Sequence, residues 1–179
     1  DAAWILNARP VSPRFEPEEI WELGAQFAAD SLWAEEKGFK GFSIGLRWDA
    51  QKQDWVQRQS WKYEIGWAGQ NVSLANSLLV DYLKTDERSS LDKAIQCLDA
   101  WVKNARLRNG LFRCHYDYII GLEDPKNEVQ DACNLGHAAS GYFEAFDLAA
   151  KCGLKKPEYR AAAFGVCDFA LKAMRADGR

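Results

Sequence analysis

The chain has no apolar run approaching the roughly 18 residues that a membrane-crossing helix requires. It has no basic excess either: its formal net charge is −3, and no basic stripe is present to displace the counterions of a nucleic acid. With only two histidines, and no HExxH or paired CxxC, a zinc site has no support. The sequence contains neither a strand-borne GxGxxG nor a GxSxG, which removes a dinucleotide fold and the serine-hydrolase elbow. The odd number of cysteines, five, fits reduced thiols better than a disulfide framework and leans towards a cytoplasmic setting. No charged-then-apolar leader follows Asp1, so no targeting segment is expected within the chain.

What is present is tryptophan and repetition. Of eight Trp, four (Trp48, Trp55, Trp61 and Trp67) fall in one stretch that does not read as helix. Residues 98–110, LDAWVKNARLRNG, return as CDFALKAMRADG at 167–178, with Asp99 on Asp168, Lys103 on Lys172 and Arg106 on Arg175. Upstream, NVSLA at 71–75 returns as NLGHA at 134–138. A unit of about 65 residues containing two helices marks an array of helical hairpins. The chain ends as the unit would begin again, which suggests a piece of such an array.

Apolar periodicity places a helix over 17–37, opened by Pro17 and acidic residues and stopped at Gly38. Residues 38–67 form an aromatic-rich connector, read as a hairpin or ordered loop. A helical hairpin follows over 68–106, its second helix capped by Ser90. A second connector covers 107–130, and a second hairpin, capped by Asp131 and reopened by Pro157, covers 131–176. The whole of 1–179 reads as a single all-α domain. Short turns within hairpins and long connectors between them put both connectors at one end, beside the starts of the helices at 70 and 131.

The double-helix unit and the endings RNG-LF and ADG-R resemble the six-hairpin glycosidases, the (α/α)6-toroid superfamily. That resemblance implies an incomplete toroid of antiparallel helical hairpins with long aromatic-rich connectors. It also implies a carbohydrate-active enzyme, in first place a glycoside hydrolase using carboxylate acid/base catalysis without a cofactor or metal. A sugar epimerase or polysaccharide lyase on the same scaffold is the nearest alternative, and a non-catalytic repeat module that binds glycan or protein is the rival from another class. Such a fragment is expected to be weakly active alone and to meet either the remainder of the toroid or another copy of itself.

The residues supply candidates for that chemistry. Glu64 in WKYEIGW is ringed by aromatics that would desolvate it, as suits a general acid. Asp117 stands between tyrosines and near His115, and Asp131 follows as a third carboxylate that is equally a helix cap. Trp48, Trp61, Tyr63, Trp67, Tyr116 and Tyr118 could stack on pyranose rings, or could form a small core beneath the connectors. Gln70, Asn71 and Asn134 open the inner helices, where their amides could bind hydroxyls or cap the helix. His115, among loop aromatics, is the better placed of the two histidines.

Overall fold

The computed structural model describes residues 14–36, 38–57, 63–67, 70–116 and 130–175. The first helix, α1 (Pro17–Gln26), begins where expected, with Pro17 in its first turn and a capping box between Glu16 and Glu19. It does not continue to residue 37. A single π-helical turn, Phe27–Leu32, loosens it, and the chain then extends as β1 (Trp33–Glu36). β1 pairs antiparallel with β2 (Phe39–Phe42), Trp33 opposite Phe42 and Glu36 opposite Phe39. Gly38, at φ 78°, makes the turn between the strands rather than the end of a helix. The pairing buries Ala34 and Phe39 on one face; on the other, Phe42 is buried against Trp33 at 5.4 Å while Glu35 stays outside in an ion pair with Lys40. A helix through 33–37 would not present that alternation.

Strands β3 (Leu46–Asp49) and β4 (Asp54–Gln57) make a second hairpin, with Trp48 opposite Trp55. The two-residue strands β5 (Tyr63–Glu64) and β6 (His115–Tyr116) make a third ladder, Tyr63 opposite Tyr116 and Glu64 opposite His115. The all-α expectation is therefore corrected. The described parts of the connectors hold antiparallel pairs, the fold is mixed, and no toroid is shown by the described residues. The physical reason is backbone hydrogen bonding. A long connector with buried residues must satisfy its N–H and C=O groups, and short ladders do that where helical periodicity is missing.

The helical hairpins themselves are present. α2 (Asn71–Thr85) turns through a left-handed Asp86 into α3 (Arg88–Asn104). The cap of α3 is Glu87, whose carboxylate accepts from Ser89 N–H; Ser90 instead donates its hydroxyl to Asp81 at 2.7 Å. α4 (Ala132–Lys151) is capped by Asp131, and Pro157 opens α5 (Pro157–Ala173). α2 and α4 are the inner pair. Gly141 of α4 lies so close to Val72 that a Cβ there would sit 2.6 Å from its Cγ1, and Asn76 donates to the Gly141 carbonyl at 2.9 Å. The core between them holds Leu78, Leu79, Trp101, Phe112, Tyr142 and Tyr159, with Phe112 and Tyr142 stacked at 5.1 Å. Each large apolar side chain removed from water there contributes roughly 1.5–3 kcal/mol.

Candidate acid cluster between the two connectors

The two connectors meet immediately before the inner helices start. Ile65 N–H donates to the Cys114 carbonyl at 3.0 Å, extending the β5–β6 ladder. Gly66 then passes over the first turn of α4. A Cβ at Gly66 would lie 2.7 Å from His137 Cβ and 3.0 Å from the Asn134 carbonyl, so only glycine allows this approach. The consequence is that Glu64, from the first connector, faces His115 and the cap of α4.

Asn134 ties this junction together. Its Oδ1 accepts from Gly66 N–H at 2.9 Å, and its Nδ2 donates to Glu64 Oε1 at 3.0 Å and to Asp131 Oδ2 at 2.8 Å. Its backbone N–H donates to Asp131 Oδ1 at 2.7 Å, the capping bond of α4. His115 lies along the same line: Nδ1 is 3.5 Å from Glu64 Oε1 and Nε2 is 3.8 Å from Asp131 Oδ2. Both distances are longer than tight hydrogen bonds.

The two carboxylates differ in their surroundings. Glu64 is 1% exposed, whereas the Asp131 side chain is 40% exposed. Desolvation pushes the Asp131 carboxyl up, but the Asn134 backbone and side-chain donors and the neighbouring His115 outweigh it, and its pKa falls below the ordinary aspartate value. Cys114 borders the cluster, and its thiol is pushed up to about 12, chiefly by burial, so it is no thiolate nucleophile at neutral pH. Among the described residues, no group of His, Cys, Asp and Glu is arranged to hold a metal ion.

The other candidates fall into four groups. Asp117, Trp61 and Tyr118 lie outside the described residues. Tyr63 is fully buried, packed on Phe39 at 4.9 Å, and Tyr116 is placed only through its strand pairing with Tyr63. Trp48 and Trp67 are 52% and 62% exposed, and Gln70 is an exposed residue in a left-handed conformation. Asn71, fully buried, takes Phe42 N–H on Oδ1 and gives Nδ2 to the carbonyls of Phe42 and Glu64, so its amide clamps β2 and β5 onto α2.

Sequence reading passed over Gly66 and Phe42, the backbone partners of these two asparagines. The signal for Gly66 was its place inside WKYEIGW, directly after the carboxylate. Compared with models of protein families, with curated proteins and with solved structures, the chain shows no match.

Proposed function

We propose that the protein acts on carbohydrate, as a glycoside hydrolase whose acid/base groups are Asp131 and Glu64. One observation supports this reading above the others: two carboxylates far apart in sequence share the Asn134 amide nitrogen and flank the His115 ring. Two carboxyl groups of unlike environment are what glycoside hydrolysis requires. In this reading Asp131, partly open to solvent and ionised, deprotonates the attacking water. Glu64 acts as the acid through His115: it passes a proton to the ring, 3.5 Å away, as the ring gives its other proton to the leaving oxygen. The exposed Trp67, next to Gly66, offers a flat face for a sugar ring.

The test is product release from oligosaccharides and polysaccharides, with Asp131→Asn and Glu64→Gln beside the unaltered chain. Asn caps a helix as well as Asp but cannot also accept from Asn134 Nδ2, so Asp131→Asn should melt somewhat lower yet stay folded while turnover falls roughly 10²–10⁴-fold. Unchanged turnover in both variants removes the cluster from catalysis. An isomerised or unsaturated product in place of a hydrolysed one moves the reading to an epimerase or a lyase.

The burial of Glu64 favours a second reading, in which the cluster is a latch between β5 and α4 in a non-catalytic glycan-binding module. Glycan binding by calorimetry, without product, and a lower melting temperature in Glu64→Gln would support that one.

A further inference from the structure

The chain between Phe42 and Glu64 leaves and returns at one nitrogen. Asn71 Nδ2 donates to the Phe42 carbonyl at 2.8 Å and to the Glu64 carbonyl at 3.0 Å, so both ends are fixed beside the acid cluster. Within that excursion lies the β3–β4 hairpin. Its tip is fixed as well: Asp49 Oδ1 accepts from Gln51 N–H at 3.0 Å and from Lys52 N–H at 3.2 Å, and Gln53 closes the turn at φ 51°. Trp48 comes six residues after Phe42, so it stands no more than about 22 Å from that clamp.

Trp48 and Trp55 are directly opposite in the ladder, so both side chains leave the same face of the hairpin, where the rings meet edge to face at 5.7 Å. They are 52% and 59% exposed. The apolar surface does not extend beyond them: residues 49–54 are polar apart from Ala50, and Leu46, the next residue on that face, is half-buried. With about 250 Å² to a tryptophan side chain, the two rings show roughly 280 Å². A stable protein interface takes about 800 Å² from each partner, so the patch is too small to hold a second copy or a folded protein. Nor does charge draw an acidic polymer, because Arg47 and Lys52 are balanced by Asp49 and Asp54. A pyranose, with an apolar face and a rim of hydroxyls, matches a flat ring with polar side chains beside it.

We propose that the β3–β4 hairpin is a carbohydrate-binding arm, on which the Trp48–Trp55 pair holds a neutral polysaccharide beside the acid cluster. This rests on the carbohydrate reading above and makes its substrate a polymer, since a chain held at the arm and at the cluster together must run from one to the other. The arrangement is unfavourable for folding alone. A two-stranded hairpin is marginal in water, yet this one keeps both tryptophans in solvent instead of packing them on the core.

The test is affinity electrophoresis through gels holding hydroxyethyl cellulose, xylan, galactomannan or soluble starch, with alginate as the acidic polymer. Trp48→Val and Trp55→Val keep a good strand former while removing the ring, and Trp48→Tyr and Trp55→Tyr keep a flat ring. At least one neutral polymer should retard the unaltered chain, with affinity about 10-fold weaker in each Val variant and within about threefold in each Tyr variant. Melting temperatures are measured for all four. No retardation by any neutral polymer overturns the inference. So does retardation that the Val variants keep, a loss that follows melting temperature rather than the ring, retardation by alginate alone, or self-association that the Val variants abolish. Binding needs no turnover, so the arm and the hydrolase fail separately. A chain that binds through these rings and releases no product removes the hydrolase and supports the arm. A chain that cleaves polymers while its Val variants are retarded like the parent keeps the hydrolase and overturns the arm.

Discussion

Asn134 Nδ2 stands 3.0 Å from Glu64 Oε1 across 70 residues of sequence, and the same nitrogen reaches Asp131 at 2.8 Å. A neutral amide thus separates two carboxylates while supplying a donor to each. Replacing Asn134 with Ala leaves Gly66 N–H and Glu64 without these partners in a buried place. The expected loss is about 2–3 kcal/mol in urea denaturation. Asn134→Asp keeps the shape and the acceptor for Gly66 but puts a third carboxylate into the cluster. Its folded pKa must rise beside the ionised Asp131, so its penalty should be absent in acid and grow as pH climbs past the unfolded aspartate value of about 3.9. A variant whose stability tracks the parent across pH would show that the three groups do not interact.

Trp48 and Trp55 face each other across the β3–β4 hairpin, edge to face at 5.7 Å, and both are more than half exposed. A double-alanine cycle should give a coupling of about 0.5–1.5 kcal/mol, the range for such ring pairs. The readout is thermal or urea unfolding. A coupling near zero would mean that the rings are set by the backbone alone, leaving both faces open to a ligand.

The helical hairpins were legible because their signals are local. Leu91, Ala94, Leu98 and Trp101 repeat at helical spacing, and Thr85 to Arg88 leaves no room for anything but an antiparallel turn. The cap at Asp131 was legible for the same reason. The end of α1 was not. A glycine with positive φ closes a helix and turns a hairpin equally well, so Gly38 fitted both accounts, and only the burial of Phe39 and Phe42 against other elements decides between them. The β5–β6 ladder is two residues long, and its partner strand is specified by how the inner helices pack, which no local pattern encodes. The meeting of Glu64 with Asp131 depends on that ladder and on Gly66, and so was hidden with them.

Asp99 links the two hairpins through a charge. Burial opposes its ionisation, but the Lys156 ammonium and the Tyr159 hydroxyl outweigh that, and its pKa is held below the ordinary aspartate value. A carboxyl depressed in the folded state adds stability that is complete above its unfolded pKa of about 3.9 and is lost as pH falls through the folded value. Asp99→Asn should therefore be less stable than the parent at neutral pH, by about 1.5–3 kcal/mol for a charged hydrogen bond, and the gap should close in acid. Chemical denaturation at a series of pH values checks it. A gap that persists unchanged below the folded pKa would assign the loss to packing rather than to the charge.

Two glycines on the second hairpin should respond to alanine in opposite directions. Gly136, within α4, has nothing within 4 Å of the position its Cβ would take. Gly136→Ala should then gain up to about 1 kcal/mol, because alanine restricts the unfolded chain and favours the helix. Gly165, within α5, is seated against the crossing turn, where a Cβ would lie 2.9 Å from the Gly110 carbonyl oxygen and 2.7 Å from Arg106 Nη2. The arginine tip can move, but that oxygen belongs to backbone, so the helix or the turn must shift and the Arg106–Gly110 hydrogen bond with it. A loss of about 1–3 kcal/mol is expected, the range for overpacking. The helical gain applies to Gly165→Ala as well, so the difference between the two variants isolates the contact. Equal melting temperatures for the two would mean that the turn yields freely and that the α3–α5 junction is not set by Gly165.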